Sequence, residues 1–143
     1  MKKIENIDYL IGDNKINKVS TIPFDIEVCS FLNTLSNELN LINDVNEYPD
    51  LKTLAFWLRK KNLENLKNKF SNSNRRLGVG LVFHITPSNI PINFAYSLVF
   101  GLLSGNTNVV KVPSQRFNQV SILCKIIKKI LKNRKLSKIK KMI

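Results

Sequence analysis

Two apolar runs set apart by a polar, proline-bearing loop and an apolar helix constrain this chain most. Val79 to Ile85 is almost uninterrupted in its hydrophobicity, as expected of a strand buried on both faces. Thr86-Pro87-Ser88-Asn89-Ile90-Pro91 follows, and its two prolines cannot continue a ladder. Ile92 to Ser104 reads as an apolar helix stopped by Gly105-Asn106, and Asn108 to Val112 as a second strand closed by Pro113. Ser114 or Gln115 then opens a helix that runs to about Lys132. A strand, helix and strand of this length imply a parallel pair joined by a crossover. Ligands of such sheets bind beyond the carboxyl ends of the strands. Here those ends are Thr86 to Asn89 and Lys111 to Ser114.

The first half of the chain follows a helical period. Ile26, Cys29, Leu32, Leu35 and Leu39 mark a helix over 24–43, and Tyr48-Pro49-Asp50 starts another that runs to about Phe70. In the latter, Leu51, Leu54, Ala55 and Leu58 share one face, Leu63, Leu66 and Phe70 extend it, and lysines line the opposite side. Residues 1–22 read as a loose lead-in with a short strand at Tyr9 to Ile11. Ser71-Asn72-Ser73-Asn74 is a polar break, so a mainly helical segment, 1–74, precedes a βαβα segment, 75–143. The fold class expected is α/β: amino-terminal helices, then the first part of a parallel, dinucleotide-binding sheet.

Charge divides the chain the same way. All ten acidic residues lie at or before Glu64, whereas residues 65–143 hold fifteen basic residues and no acid. Nine of those cations fall between Lys125 and Lys141. A basic half suits a nucleic acid or an anionic membrane face, and it also suits an acidic partner. No reader motif or interleaving of aromatics supports nucleic acid, which stays the alternative reading. The longest apolar stretch is far short of the roughly 20 residues that span a bilayer, and no apolar signal core follows the charged start, so a cytoplasmic location is expected. Cys29 and Cys124 match no metal spacing and make no disulfide framework. Cys124 shares a helix face with Val120, Ile127 and Leu131 and reads as a buried thiol. His84, the single histidine, reads as a packed strand residue, and Gly101 to Gly105 as a point of close helix packing.

The two loops carry a family pattern. Gly80-Leu81-Val82-Phe83-His84-Ile85-Thr86-Pro87-Ser88-Asn89-Ile90-Pro91, with Gly105-Asn106-Thr107-Asn108-Val109-Val110-Lys111 after the helix, resembles the cofactor domain of the aldehyde dehydrogenase superfamily. Within it the likeness is to the long-chain acyl-CoA reductases, the reductase component of bacterial luminescence systems and their relatives. Tyr48 to Arg59 shares that likeness.

The resemblance implies reduction of an acyl-CoA or acyl-carrier thioester to an aldehyde with NADPH. Asn89 matches the asparagine that donates to the oxyanion; read from the residues alone, it is a turn residue between prolines. Lys111 matches the lysine that reaches the adenosine ribose. Ser114 stands where NAD-using relatives have a glutamate for the 2′-hydroxyl, and without that carboxylate, with Arg116 nearby, the loop suits a 2′-phosphate. Ser114 also suits a helix cap. Ile85, Thr86, Pro87 and Ser88 match the segment lying along the cofactor, mostly through backbone. Ser88 replaces a tryptophan common in ordinary aldehyde dehydrogenases, which suits a bulkier acyl group. The nucleophilic cysteine of the family belongs to a later domain, and neither Cys29 nor Cys124 matches it. The chain is therefore expected to be an amino-terminal, truncated portion, inactive alone, whose cysteine domain a second polypeptide could supply.

Overall fold

The computed structural model describes residues 7–42, 47–70 and 75–143. Its elements are α1 (Ile26–Asn40), α2 (Pro49–Trp57), α3 (Lys60–Phe70), β1 (Leu81–Ile85), α4 (Asn93–Leu103), β2 (Thr107–Lys111), α5 (Asn118–Leu131), a 3-10 turn (Arg134–Leu136) and α6 (Ser137–Lys140). The polar break at 71–74 lies outside the described residues. β1 and β2 pair in parallel, with Leu81 opposite Thr107 and Ile85 opposite Lys111. The expected α/β order and parallel pair are present.

α1 is the hub. Asp25 caps it, its Oδ1 accepting from the amides of Glu27 and Val28. Val28, Phe31, Leu32, Leu35 and Leu39 are buried, whereas Ile26, expected on this face, is 82% exposed. Ile26 is the first residue of the helix, ahead of the turn that meets the core. Against α1 lie Leu54 of α2, Ala95, Leu98 and Leu102 of α4, and Leu123 and Ile127 of α5. Each fully buried Leu or Ile contributes about 1.5–3 kcal/mol of transfer free energy. Ser36, buried in the same helix, is satisfied by donating to the Ala55 carbonyl at 2.6 Å.

The helix expected from Asp50 to Phe70 is two helices. The chain breaks after Trp57, where Asn62 Nδ2 donates to the Phe56 carbonyl at 2.7 Å and Asn33 of α1 accepts from the Lys60 amide at 2.9 Å. These side chains replace helical hydrogen bonds, so the chain bends while keeping both Leu58 and Leu63 in the core. The strand expected at Tyr9 to Ile11 is absent; those residues lie in irregular structure. The end of the lead-in is ordered instead by long-range bonds. Thr21 donates to the Gly105 carbonyl, Gly78 donates to that of Thr21, and Phe24 donates to that of Leu103.

β1 is not buried on both faces. α4 packs on one side of the sheet and no described helix covers the other. Leu81, Phe83 and Ile85 are 40%, 60% and 72% exposed on the bare side, while Val82 and His84 are half-buried. The helix after β2 begins at Asn118 rather than at Ser114 or Gln115, and Phe117 holds its cap position.

The chain ends in a segment that the hydrophobic pattern did not single out. Ile139 and Met142 are fully buried, and the Met142 carbonyl accepts from the Asn108 amide at 2.8 Å, on the outer edge of β2. Lys138 ties this segment to α1 by bonding both Asp25 oxygens, at 2.9 and 3.0 Å, and Glu27 at 2.9 Å. Burial pushes the Asp25 carboxyl up, but the Lys138 ammonium and the amides of Glu27 and Val28 outweigh it and hold the pKa below the ordinary 3.8. A depressed carboxylate stabilises the fold above its unfolded pKa, and this contribution is lost as pH falls through the folded value. Asp25→Asn should therefore remove part of the loss in thermal midpoint between about pH 7 and about pH 3. An unchanged pH dependence would show that the clasp contributes nothing.

α4 approaches the sheet closely at Gly101. A Cβ there would lie 1.9 Å from Asn108 Oδ1 and 2.9 Å from His84 Nε2. Gly105 ends the helix at φ +83°, and a Cβ on it would meet the Thr21 carbonyl oxygen. Gly101→Ala should lower unfolding stability by about 1–3 kcal/mol in urea titrations, by overpacking. A midpoint equal to that of the parent chain would mean that helix and sheet separate without cost.

Candidate functional site

The site expected from the sequence lies at the carboxyl edge of the sheet. Ile85 and Lys111 end β1 and β2 as register partners, so the loops that follow them leave the sheet side by side. The first loop holds Thr86, Pro87, Ser88 and Asn89 and leads through Ile92, the cap position, into α4. The second holds Ser114 and Arg116 and leads into α5. All eight expected residues thus occupy one edge, brought there by the parallel pairing.

Their environments differ. Ile85, Pro87, Ser88, Asn89, Lys111, Ser114 and Arg116 are exposed. The Asn89 side chain makes no hydrogen bond among the described residues, so no Asx turn holds it and its amide hydrogens are free to donate. Ser114 lies four residues ahead of α5 and does not cap it, which corrects that part of the sequence reading. Its hydroxyl is left open to solvent. Thr86 is half-buried. Its Oγ1 is shut off from solvent and has no partner among the described residues. A buried hydroxyl without a partner is costly in a finished fold and marks a position that a ligand can satisfy. Sequence reasoning treated Thr86 as a backbone contact, and nothing in the pattern distinguished its hydroxyl.

At the opposite, amino-terminal end of the two strands lies a polar cluster that the sequence did not reveal. Asn106, Thr107 and Asn108 are buried. Asn106 Oδ1 accepts from the Val79 amide at 2.7 Å, and Thr107 Oγ1 exchanges 3.0 Å bonds with the backbone of Val19. Asn108 Nδ2 donates to the carbonyls of Asn106 and Met142. With its nitrogen so used, Asn108 Oδ1 accepts, and His84 Nε2 donates to it at 2.9 Å. His84 is thus a packed strand residue, as expected. The cluster binds β1, β2, the lead-in and the final residues into one unit at the end of the sheet away from the site loops.

The loops themselves bring two cations to the edge, Lys111 and Arg116, and no carboxylate. The nearby acid is Asp50 of α2: burial, and with it the Asp50 charge, raises the pKa of Tyr96 in the first turn of α4. Among the described residues no group of three or more His, Cys, Asp or Glu could hold a metal. The apolar cleft between α2, α3 and α4, lined by Leu54, Trp57, Leu66 and Tyr96 among others, contains none of the eight residues.

Two adjoining loops, a free Asn89 amide and two exposed cations thus share one edge of the sheet. Residues 58–141 match the family described as acyl-CoA reductase (LuxC), which takes in more than half of the chain and both loops. The chain belongs to this acyl-CoA reductase family. No curated protein and no solved structure matches it. Among the described residues no helix is long and apolar enough to cross a membrane.

Within this family member neither cysteine is poised for attack. Cys124 lies in the core cluster, and burial pushes its thiol up to about 11. Burial also raises Cys29, whose charged neighbours are Lys67, Asp25 and Glu64 rather than residues of the site loops. Thiolate, not thiol, reacts. At neutral pH Cys124 should react with a thiol reagent far more slowly in the native chain than in denaturant. Equal rates in the two conditions would contradict its placement in the core.

Proposed function

We propose that this chain supplies the oxyanion donor and part of the cofactor cradle of an NADPH-dependent reductase that converts long-chain acyl thioesters to aldehydes. In this reading the nucleophilic cysteine comes from polypeptide outside these residues, and the chain is inactive alone. The observation that carries the reading is the family match spanning both loops at the carboxyl edge of the sheet.

The residues present fit a dinucleotide. Thr86 offers a buried hydroxyl without a partner, and the two loops carry the cations Lys111 and Arg116 and no carboxylate of their own. Lys111 would reach the adenosine ribose. Ser114 and Arg116 would take the 2′-phosphate, the arginine as a charge-assisted donor. Ile85, Thr86, Pro87 and Ser88 would lie along the dinucleotide. When bound, NADPH would supply hydride.

The role of Asn89 follows from its chemistry. Attack on an acyl thioester turns the carbonyl oxygen into an oxyanion. A neutral amide donor stabilises that charge without protonating the attacking thiolate. The Asn89 amide has no competing partner among the described residues, so turning toward the oxyanion breaks no bond of its own.

The test is reconstitution. The chain is combined with a polypeptide carrying the cysteine domain of the family, and aldehyde formed from a long-chain acyl-CoA and NADPH is measured. The chain alone should give none. The combination should give aldehyde, and Asn89→Ala should lower kcat about 10²–10³-fold, as loss of one oxyanion donor does. Turnover by the isolated chain, or full kcat in the Asn89 variant, would overturn the proposal.

A further inference from the structure

Nine cations and no acid fall between Lys125 and Lys141, on α5 and the segments after it. α5 buries Val120, Leu123, Cys124, Ile127, Ile130 and Leu131. Its opposite side presents Ser121, Lys125, Lys128 and Lys132, all exposed and spaced to form one row along the helix. Lys129, to one side of the row, pairs with Glu38 at 2.6 Å, and Lys138 is held by Asp25 and Glu27. Arg134, Lys135, Lys140 and Lys141 continue the cationic surface. Among the described residues these four and the three lysines of the row make no ion pair.

Like charges at helical spacing repel, so the row costs stability wherever it is not neutralised. Three observations define what would neutralise it. The row is built of lysine, a hydrated point charge, rather than of the arginine forks that suit bidentate phosphate contacts. No large hydrophobic side chain after Phe100 is exposed, so the row and the segment after it bring no apolar anchor of their own for a lipid bilayer. For the same reason they have no exposed aromatic on which nucleobases could stack. A straight helical row of ammonium groups fits a row of carboxylates on a second helix.

We propose that the lysine row of α5, with the cations of the segment after it, docks an acidic helical carrier protein that presents the acyl group as its thioester. The cargo rests on the acyl-thioester reading above. The docking rests only on the charge arrangement. It would admit a carrier protein as a bearer of the substrate beside coenzyme A, and it would act chiefly on encounter rate and salt dependence.

The experiment titrates the 143-residue chain with an apo acyl carrier protein, which bears no acyl group, at low and at high salt. Binding should appear at low salt and weaken as salt rises. The combined substitutions Lys125→Glu, Lys128→Glu and Lys132→Glu should weaken it by about tenfold or more, against little change for Lys61→Glu with Arg76→Glu. Circular dichroism of each variant verifies the fold. Absence of carrier binding, equal losses in the two variants, or binding of duplex DNA or anionic vesicles as tight as that of the carrier would each overturn the proposal. Docking of the apo carrier without aldehyde formation in the reconstitution would sink the reductase reading and leave the docking standing. Aldehyde from acyl-CoA without carrier binding would do the reverse.

Discussion

Helix α4 has to be buried on two sides at once, and the rest of the structure is arranged around that requirement. Its sequence, Asn93 to Leu103, carries no charge, and Phe94, Ala95, Leu98, Val99, Leu102 and Leu103 are all buried. One side meets α1, and through it α2 and α5. The other meets the sheet so closely that Gly101 has no room for a methyl group above Asn108. A helix apolar on nearly all sides is stable only when enclosed. Here α1 and the two strands enclose it, and each of these in turn depends on α4 for its own burial.

This enclosure determines where chemistry is possible. By holding β1 and β2 in parallel register, α4 leads both following loops off the same edge, and its own amino end begins where the first loop finishes. The buried asparagines brace the other end of the same strands: Asn106 holds the chain entering β1, while Asn108 ties His84 to the carbonyl of Met142. The site loops are therefore exposed side chains on a braced support, an arrangement suited to binding ligands.

Charge is distributed by a similar division of labour. The few acids near the basic half are engaged in holding the molecule together, Asp25 and Glu27 through Lys138 and Glu38 through Lys129. What remains on α5 is cationic without compensation. The bare face of the sheet, with Leu81, Phe83 and Ile85 outward, is the other surface that the described residues leave uncovered.

Sequence alone was enough to establish the strand–helix–strand–helix order of the second half, the parallel pair, the two loops at its carboxyl edge, the close packing at Gly101 and the buried Cys124. Each of these depends on short-range patterns: the helical period, the proline and glycine positions, and the Gly-Asn and Pro-x-Asn-x-Pro spacings. Only the tertiary structure decided that the helix expected over 50–70 breaks after Trp57, because the side chains that break it come from Asn33 and Asn62, the first of them on another helix. It also decided that β1 has one bare face, since an apolar run records hydrophobicity but not how many layers are there to cover it. The free Asn89 amide, the unpaired Thr86 hydroxyl and the exclusion of Ser114 from the helix cap were likewise out of reach of sequence. Hydrogen-bond partners are assigned by neighbours distant in the chain, and a local pattern carries no record of them.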